Sequence, residues 1–241
     1  MESALKWKTK YPVLGETIPP VAKIVALLRK NPAAELEARF GVHESSRFRS
    51  GVSRFEIDRV MSMMLKSPHV DTTDEWTEEQ DFFFTVDDKS YRTRVRYDSS
   101  NMAIKPQTIV KTTIATQDIL VQGSDDMRTN DIRISLKTEE PIVQLQSCVS
   151  TTLVRIKQRR RFVTNCKRWA FDFAMVWSGR NKNEAETRQA SSDPHFEIEC
   201  ELIDARRVLE TQDDARIACS LLLKTMDLLP AECAWRLHTS V

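Results

Sequence analysis

Glu35-Leu-Glu37 and Glu197-Ile-Glu199-Cys-Glu201 place carboxylates at every second position of two short segments. In a β-strand, residues i, i+2 and i+4 leave one face. Each segment therefore aims its acids one way, while Leu36, Ala38, Ile198 and Cys200 point the other way. Carboxylates crowded on one face repel each other unless positive charge stands among them. A hard divalent cation, Mg²⁺ or Mn²⁺, prefers oxygen ligands and is the economical candidate. The histidines at 43, 69, 195 and 238 have no zinc-like grouping, which leaves an oxygen-only site.

Other segments carry charge with the same period of two. Arg92, Arg94 and Arg96 alternate with Thr93 and Val95, and Arg155, Lys157, Arg159 and Arg161 alternate around Ile156. Arg133, Ser135, Lys137 and Glu139 alternate with Ile134 and Leu136. Asp172 lies in a segment whose Phe171, Phe173 and Met175 face the other way. Taken singly, each is an ordinary half-buried strand with a solvated outer face. Together their signs are segregated: two acidic strands, two basic strands and one mixed. A surface built for solubility intersperses its signs. Segregation points instead to a closed barrel with a polar interior and an apolar exterior covered by helices. Such a lumen suits a triphosphate. Guanidinium forks and ammonium groups neutralise phosphate, a carboxylate-held metal stabilises transition-state charge, and a further carboxylate orients or deprotonates water.

The elements that must position these residues are readable in outline. Residues 1–17 read as an irregular lead-in anchored by tryptophan. Pro19-Pro20 opens a helix to about Lys30, with Val21, Ile24, Val25 and Leu28 on one face. The first acidic strand follows over 34–40, ended by Gly41. Ser53 with Glu56 is a capping-box pattern for a helix with Val60, Met61, Met64 and Leu65 inward. Met61, Met63 and Met64 read as core packing rather than a binding face. Strands are expected at 82–86 and 90–97, flanking a turn at Asp87-Asp88-Lys89, and at 108–121, 130–138, 151–164, 167–177 and 195–203. Residues 178–194 read as a long loop, and a final helix spans about 213–229 with Ile217, Leu221 and Met226 inward. No repeat or linker divides the chain. Residues 1–241 are expected to form one domain, with a barrel core at 33–204 and a helical segment at 205–241.

Composition narrows the function classes. Hydrophobic residues at 41% and charged residues at 29% describe a soluble globular chain rather than a disordered one. A formal net charge of +1 lacks the broad basic footprint of a duplex-DNA binder. No apolar run approaches the roughly 20 residues of a membrane helix, and the N-terminus has no apolar signal region. Five cysteines without CxxC spacing favour reduced thiols.

In their order, Glu35-Leu-Glu37-Ala-Arg-Phe-Gly41, Asp131-Ile-Arg133-Ile-Ser135 with Glu139, Arg155-Ile-Lys157-Gln-Arg159 and Glu197-Ile-Glu199-Cys-Glu201 carry a resemblance. The set resembles the metal-dependent RNA 5′-triphosphatases of fungi, protozoa and DNA viruses, within the triphosphate tunnel metalloenzymes. The resemblance implies an α+β, β-dominated protein built on an eight-stranded antiparallel β-barrel, a charged tunnel packed by a few helices. It implies that Glu35, Glu37 and Glu201 bind the metal, that Glu199 holds a metal-bound or attacking water, and that Glu197 supports it. Arg94 (by its place before Asp98), Lys111, Arg133, Arg155, Lys157 and Arg159 resemble the phosphate contacts. Asp172 and Glu139 resemble the acids that position water and basic side chains. Three departures stand out. Lys111 lacks an arginine two residues on, Ala174 replaces a common hydroxyl residue, and Arg161 extends the basic strand. The last leaves open whether Arg161, or Arg96 on its own strand, replaces a neighbour as a phosphate contact.

The function so implied is hydrolysis of the γ-phosphate of triphosphate-ended RNA as the first step of capping, with NTP as a side substrate. A separate guanylyltransferase is the implied partner. The implied location is the nucleus, or the cytoplasm for a viral enzyme. A tunnel-type tripolyphosphatase, a thiamine triphosphatase and a non-catalytic barrel that binds phosphorylated ends are the alternatives. Cys200 and Arg206 have the CxxxxxR spacing of cysteine phosphatases, but the intervening residues are bulky and acidic where small ones must turn backbone N–H groups to phosphate. Flanking Glu199 and Glu201 would also raise the thiol pKa. No Walker A sequence is present.

Overall fold

The computed structural model describes residues 14–44, 47–72, 76–86, 89–97, 102–122, 130–142, 150–229 and 234–237. The lead-in around Trp7, the turn residues Asp87 and Asp88, and Asp98 lie outside these. The strands are β1 (Glu35–Glu44), β2 (Arg47–Ser50), β3 (Val70–Thr72), β4 (Thr77–Val86), β5 (Lys89–Arg96), β6 (Gln107–Gln122), β7 (Asp131–Pro141), β8 (Leu153–Thr164), β9 (Trp169–Gly179), β10 (His195–Leu202) and β11 (Ala234–Leu237). Eight of them close an antiparallel ring in the order β1-β10-β9-β8-β4-β5-β6-β7, with β7 pairing back to β1. The short strands β2, β3 and β11 extend β1, β8 and β6 outside that ring. Closure removes free sheet edges, so the charged faces look inward together.

The outer face of the ring is apolar. Leu36, Ala38, Ile132, Ile134, Leu136, Phe173 and Cys200 are fully or almost fully buried. They pack against α1 (Leu14–Lys30), α2 (Arg54–Lys66) and α5 (Asp214–Met226), whose Val25, Leu28, Val60, Ile217 and Leu221 complete the same core. α3 (Lys182–Ser191) lies against β8 and β9 through Ala185, and α4 (Ala205–Thr211) follows β10. Burial of these aliphatic groups, about 1.5–3 kcal/mol for each large side chain, offsets the cost of ordering a charged interior.

Several boundaries differ from the sequence expectation. α1 begins at Leu14, with Pro19 and Pro20 inside it. Leu14 and Thr17 are buried, so tertiary packing holds the turn that the prolines leave short of backbone donors. β1 continues through Gly41 to Glu44. A Cβ at Gly41 would lie 2.2 Å from the Arg49 carbonyl oxygen and 2.7 Å from the Phe48 ring, so glycine here permits β2 to approach rather than ending the strand. Gly41→Ala is expected to destabilise the fold by about 1–3 kcal/mol in urea unfolding, the usual cost of overpacking. An unchanged midpoint would show that β2 can shift freely.

The capping box of Ser53 and Glu56 is present, but Leu65 is exposed and Ile57 takes the inward place. The stretch 178–194 is not a loop. Ser178 and Gly179 end β9, and α3 begins at its Asn181 cap, whose side chain accepts from the Glu184 backbone N–H. Asn181 and Glu184 have the spacing of a side-chain cap, but the helix buries only Ala185 and so has no apolar face to mark it in the sequence. The C-terminal region contributes the strand β11 as well as helices.

Candidate active site

Directly opposed residues of neighbouring antiparallel strands share a face, so register decides which charges meet in the lumen. Around most of the ring, opposite signs face each other. Glu79 opposes Arg96 and Lys157, and Asp81 opposes Arg94 and Arg155. Arg161 opposes Asp172, Lys111 opposes Glu139, and Lys137 opposes Glu35. Two places break the rule: Arg39 opposes Arg133 across β1 and β7, and the second place is acidic. Glu199 opposes Asp172, and Glu37 opposes Glu201. Across β9, β10 and β1 the lumen is thus an acidic seam, in which carboxylates stand side by side and only Arg39, opposite Glu199, intervenes from these strands.

The resulting cavity has a volume of about 180 Å³. Its acidic lining is Glu35, Glu37, Glu79, Glu139, Asp172, Glu197, Glu199 and Glu201. Its basic lining is Arg39, Arg92, Arg94, Arg96, Lys111, Lys157, Arg159 and Arg161. Thus eleven of the thirteen residues expected at the site reach this one space. Arg133 and Arg155 do not line it. Arg133 is on the lumen face beside Arg39, but a bidentate pair to Asp118 at 2.6 and 2.7 Å and the Phe48 ring 4.7 Å below draw it aside. Arg155 is engaged by Glu197.

Ion pairs fill the lumen. Lys111 Nζ donates to Glu35 at 2.7 Å and to Glu139 at 2.8 Å, and Arg92 donates to Glu139 at 2.9 Å. Arg94 grips Asp81 with two donors at 2.7 and 2.9 Å and approaches Glu79 at 3.2 Å. Arg159 donates to Asp172 at 2.5 Å, and Lys157 lies 3.1 Å from Glu197. Arg161 bridges Asp172 at 3.1 Å and Glu201, and Lys137 bonds Glu37. Arg39 spans Glu37 at 3.2 Å and Glu199 at 3.1 Å.

These pairs set the ionisation of the site. Burial opposes the charge on Glu199, but Arg39, Lys157 and Lys111 hold it well below the usual carboxylate range. Burial likewise opposes Glu197, which Lys157 and Arg155 keep ionised. Glu201 goes the other way. Burial, with Asp172 and Glu35 adding repulsion, pushes it up to about 7 despite Arg161. At Glu201 the Arg161 pair therefore does not fully offset burial and the neighbouring acids.

Glu35, Glu37 and Glu201 fit a hard cation by the chemistry of their all-oxygen set and by that deficit. The Ser135 hydroxyl, fully buried and directly opposite Glu37, also has no partner. The three carboxylates do not yet converge. Among the described residues no three acidic, histidine or cysteine side chains form a ready metal site. Each of the three is turned onto a cation (Lys111, Lys137 or Arg161) that must yield for a metal to bind.

Four lumen groups escaped the sequence reading: Glu79, Asp81, Arg39 and Lys137 as an acid partner. Glu79 and Asp81 repeat the Glu35/Glu37 spacing, but the expected strand began at residue 82. Arg39 is the third member of the Glu35-Glu37 alternation. Its spacing was available, and only its sign set it apart.

Residues 28–219 match the family described as mRNA capping enzyme, beta chain. No curated protein matches the chain significantly. Among solved structures, the Pct1 RNA triphosphatase of S. pombe aligns with a TM-score of 0.60 at 16% identity, over 87% of this chain and 92% of that one. The same enzyme in complex with the Spt5 CTD gives 0.62 at 18%, over 88% and 93%. The RNA triphosphatase domain of the trifunctional mimivirus mRNA capping enzyme gives 0.55 at 16%, over 86% and 95%. At these identities the structural likeness concerns the fold, a tunnel-type barrel.

Proposed function

Because the chain belongs to the mRNA capping enzyme beta-chain family, we infer that its charged lumen is the active site of an RNA 5′-triphosphatase, which removes the γ-phosphate of triphosphate-ended RNA at the start of capping. The carrying observation is the register that sets Glu37 against Glu201 inside a closed barrel lined otherwise by paired cations. A divalent cation, Mg²⁺ or Mn²⁺, held by Glu35, Glu37 and Glu201 would neutralise the acidic seam and the charge developing on the phosphate.

The chain's own groups supply the remainder. A triphosphate exchanges carboxylate partners for phosphate oxygens at Lys157, Arg159, Arg92 and Lys111. Arg94 is held by both Asp81 and Glu79, so it contributes positive potential and orientation more than a free fork. Glu199, kept ionised by Arg39, accepts a hydrogen bond from the attacking water and orients it toward the phosphate. Glu197 fixes Arg155 and Lys157 beside it. Arg39→Gln is expected to lower kcat at least tenfold with a smaller change in KM, because it loosens Glu199 rather than a phosphate contact. Initial rates over a range of RNA concentrations test this, and an equal loss confined to KM would contradict it.

The reading is tested directly by release of phosphate from γ-labelled triphosphate-ended RNA with and without added Mg²⁺ or Mn²⁺. Metal-independent release, or turnover of tripolyphosphate alone, would overturn it. A separate guanylyltransferase would receive the diphosphate end. The enzyme would act in the nucleus of a cellular host, or in the cytoplasm for a virus.

A further inference from the structure

Among the described residues, the most exposed tunnel side chains cluster at one end. Side chains there are substantially exposed: Arg96 at 52%, Arg161 at 32% and Glu35 at 31%, against 7% for Glu197 and 11% for Lys157 deeper in. This is the end where β5, β8 and β10 finish and β1, β4 and β9 begin. On its rim the turn after β8 meets the turn after β10, where the Ile203 N–H donates to the Arg168 carbonyl at 2.9 Å. Ile203 is two residues beyond Glu201.

A second, smaller cavity of about 130 Å³ lies at this junction, lined by Cys166, Lys167, Arg168, Asp204, Arg207 and the α4 residues Val208 and Thr211. Its cations differ from those of the tunnel. Every basic residue lining the tunnel is paired with a carboxylate, whereas among the described residues no ion pair engages Arg168 or Arg207. Lys167 is offset only by an exposed pair to Asp71. Asp204 makes no capping bond to α4. Both Lys167 and Asp204 adopt left-handed backbone, with φ of 55° and 53°, so two tight turns of unusual conformation build the pocket.

We propose that this rim pocket is a subsite for the RNA chain itself, in which Arg168 and Arg207 seat a phosphodiester of the first nucleotides behind the 5′-triphosphate. The proposal rests on the RNA reading of the tunnel and extends it. Phosphate is a ligand that unpaired guanidinium groups fit through two parallel donors. Position points to its source: the turns after β8 and β10 border the exposed end of the tunnel, where RNA whose triphosphate reaches the acidic seam would emerge. The local field is positive. Burial opposes ionisation of the Cys166 thiol, yet the Thr164 hydroxyl, the Arg168 backbone, and the charges of Arg168 and Lys224 bring it below its ordinary value. A free nucleoside triphosphate has no further phosphodiester to offer this pocket, so the subsite would separate RNA from NTP.

The test is the double reversal Arg168→Glu with Arg207→Glu, both exposed positions, against the control Arg47→Glu with Arg180→Glu at the opposite end. Binding of a single-stranded decanucleotide bearing a 5′-triphosphate, read by anisotropy without divalent ion, is expected to weaken at least tenfold in the rim variant and under threefold in the control. The slope of log affinity against log salt should become shallower by roughly 1, near the 0.7 per phosphate found for single strands. With Mg²⁺, KM for the same RNA should rise in parallel while kcat/KM for GTP stays within twofold. Unchanged RNA binding, or an equal loss for RNA and GTP, would overturn the subsite. Failure of the wild-type protein to release phosphate from RNA would overturn the tunnel reading instead, leaving the binding result to judge the rim.

Discussion

Glu201→Gln is expected to abolish phosphate release, by a factor of about 10³ or more, while making the metal-free protein more stable at pH 8. Glu201 faces Glu37 across β1 and β10 and is raised to about 7 by burial, Asp172 and Glu35. A carboxyl raised in the folded state holds a proton that the unfolded chain has already lost. Its stabilising share is therefore full below the ordinary value near 4.5, declines as pH climbs to about 7, and is a constant penalty above that. A neutral glutamine removes the penalty, on the order of 1–3 kcal/mol, and leaves Arg161 its bond to Asp172. Divalent ion should reverse the ranking, because the wild type gains binding free energy that the variant cannot. Thermal melts at pH 5 and pH 8, with and without Mg²⁺, read all of this. A variant that is less stable at pH 8 without metal, or that retains near-normal turnover, would refute the acidic-seam assignment.

Asp81→Ala is expected to cost about 3–5 kcal/mol of folding stability, the scale for removing one partner of a buried ion pair. Asp81 is 1% exposed and takes two donors from Arg94, with Arg92 4.0 Å away. Burial would raise its carboxyl, yet Arg94 and Arg92 hold it ionised. Without it, Arg94 keeps only Glu79, and two arginines repel inside the barrel. kcat/KM for triphosphate-ended RNA should fall at least tenfold as Arg94 loses its orientation. Asp81→Asn, which preserves shape but not charge, should fall between the two in urea unfolding. A loss under about 1 kcal/mol in the alanine variant would show that Glu79 alone suffices to hold Arg94.

The acid and base strands that make up most of the site were legible because alternation has a period of two and needs no partner to be seen. Glu35, Glu37, Glu197, Glu199 and Glu201 are on one face by chain geometry alone. Lys157, Arg159 and Arg94 follow by the same rule. What local pattern could not give is the register between strands distant in sequence. It sets Glu37 against Glu201, 164 residues apart, and draws Arg133 to Asp118 rather than into the lumen. A register shift between Thr113 and Ala115 in β6 shows how little it takes: Lys111 and Thr113 precede it, Thr116 and Asp118 follow it, and both pairs oppose lumen residues of β7.

The sequence by itself determined the two-faced strands, the apolar exterior and the chemical class of the interior, since these depend on residue type and on a backbone period that every strand shares. Only the tertiary structure decided which charges cancel and which remain. Electrostatic energy depends on distances across the closed ring, and neighbours there are chosen by barrel closure rather than by order along the chain.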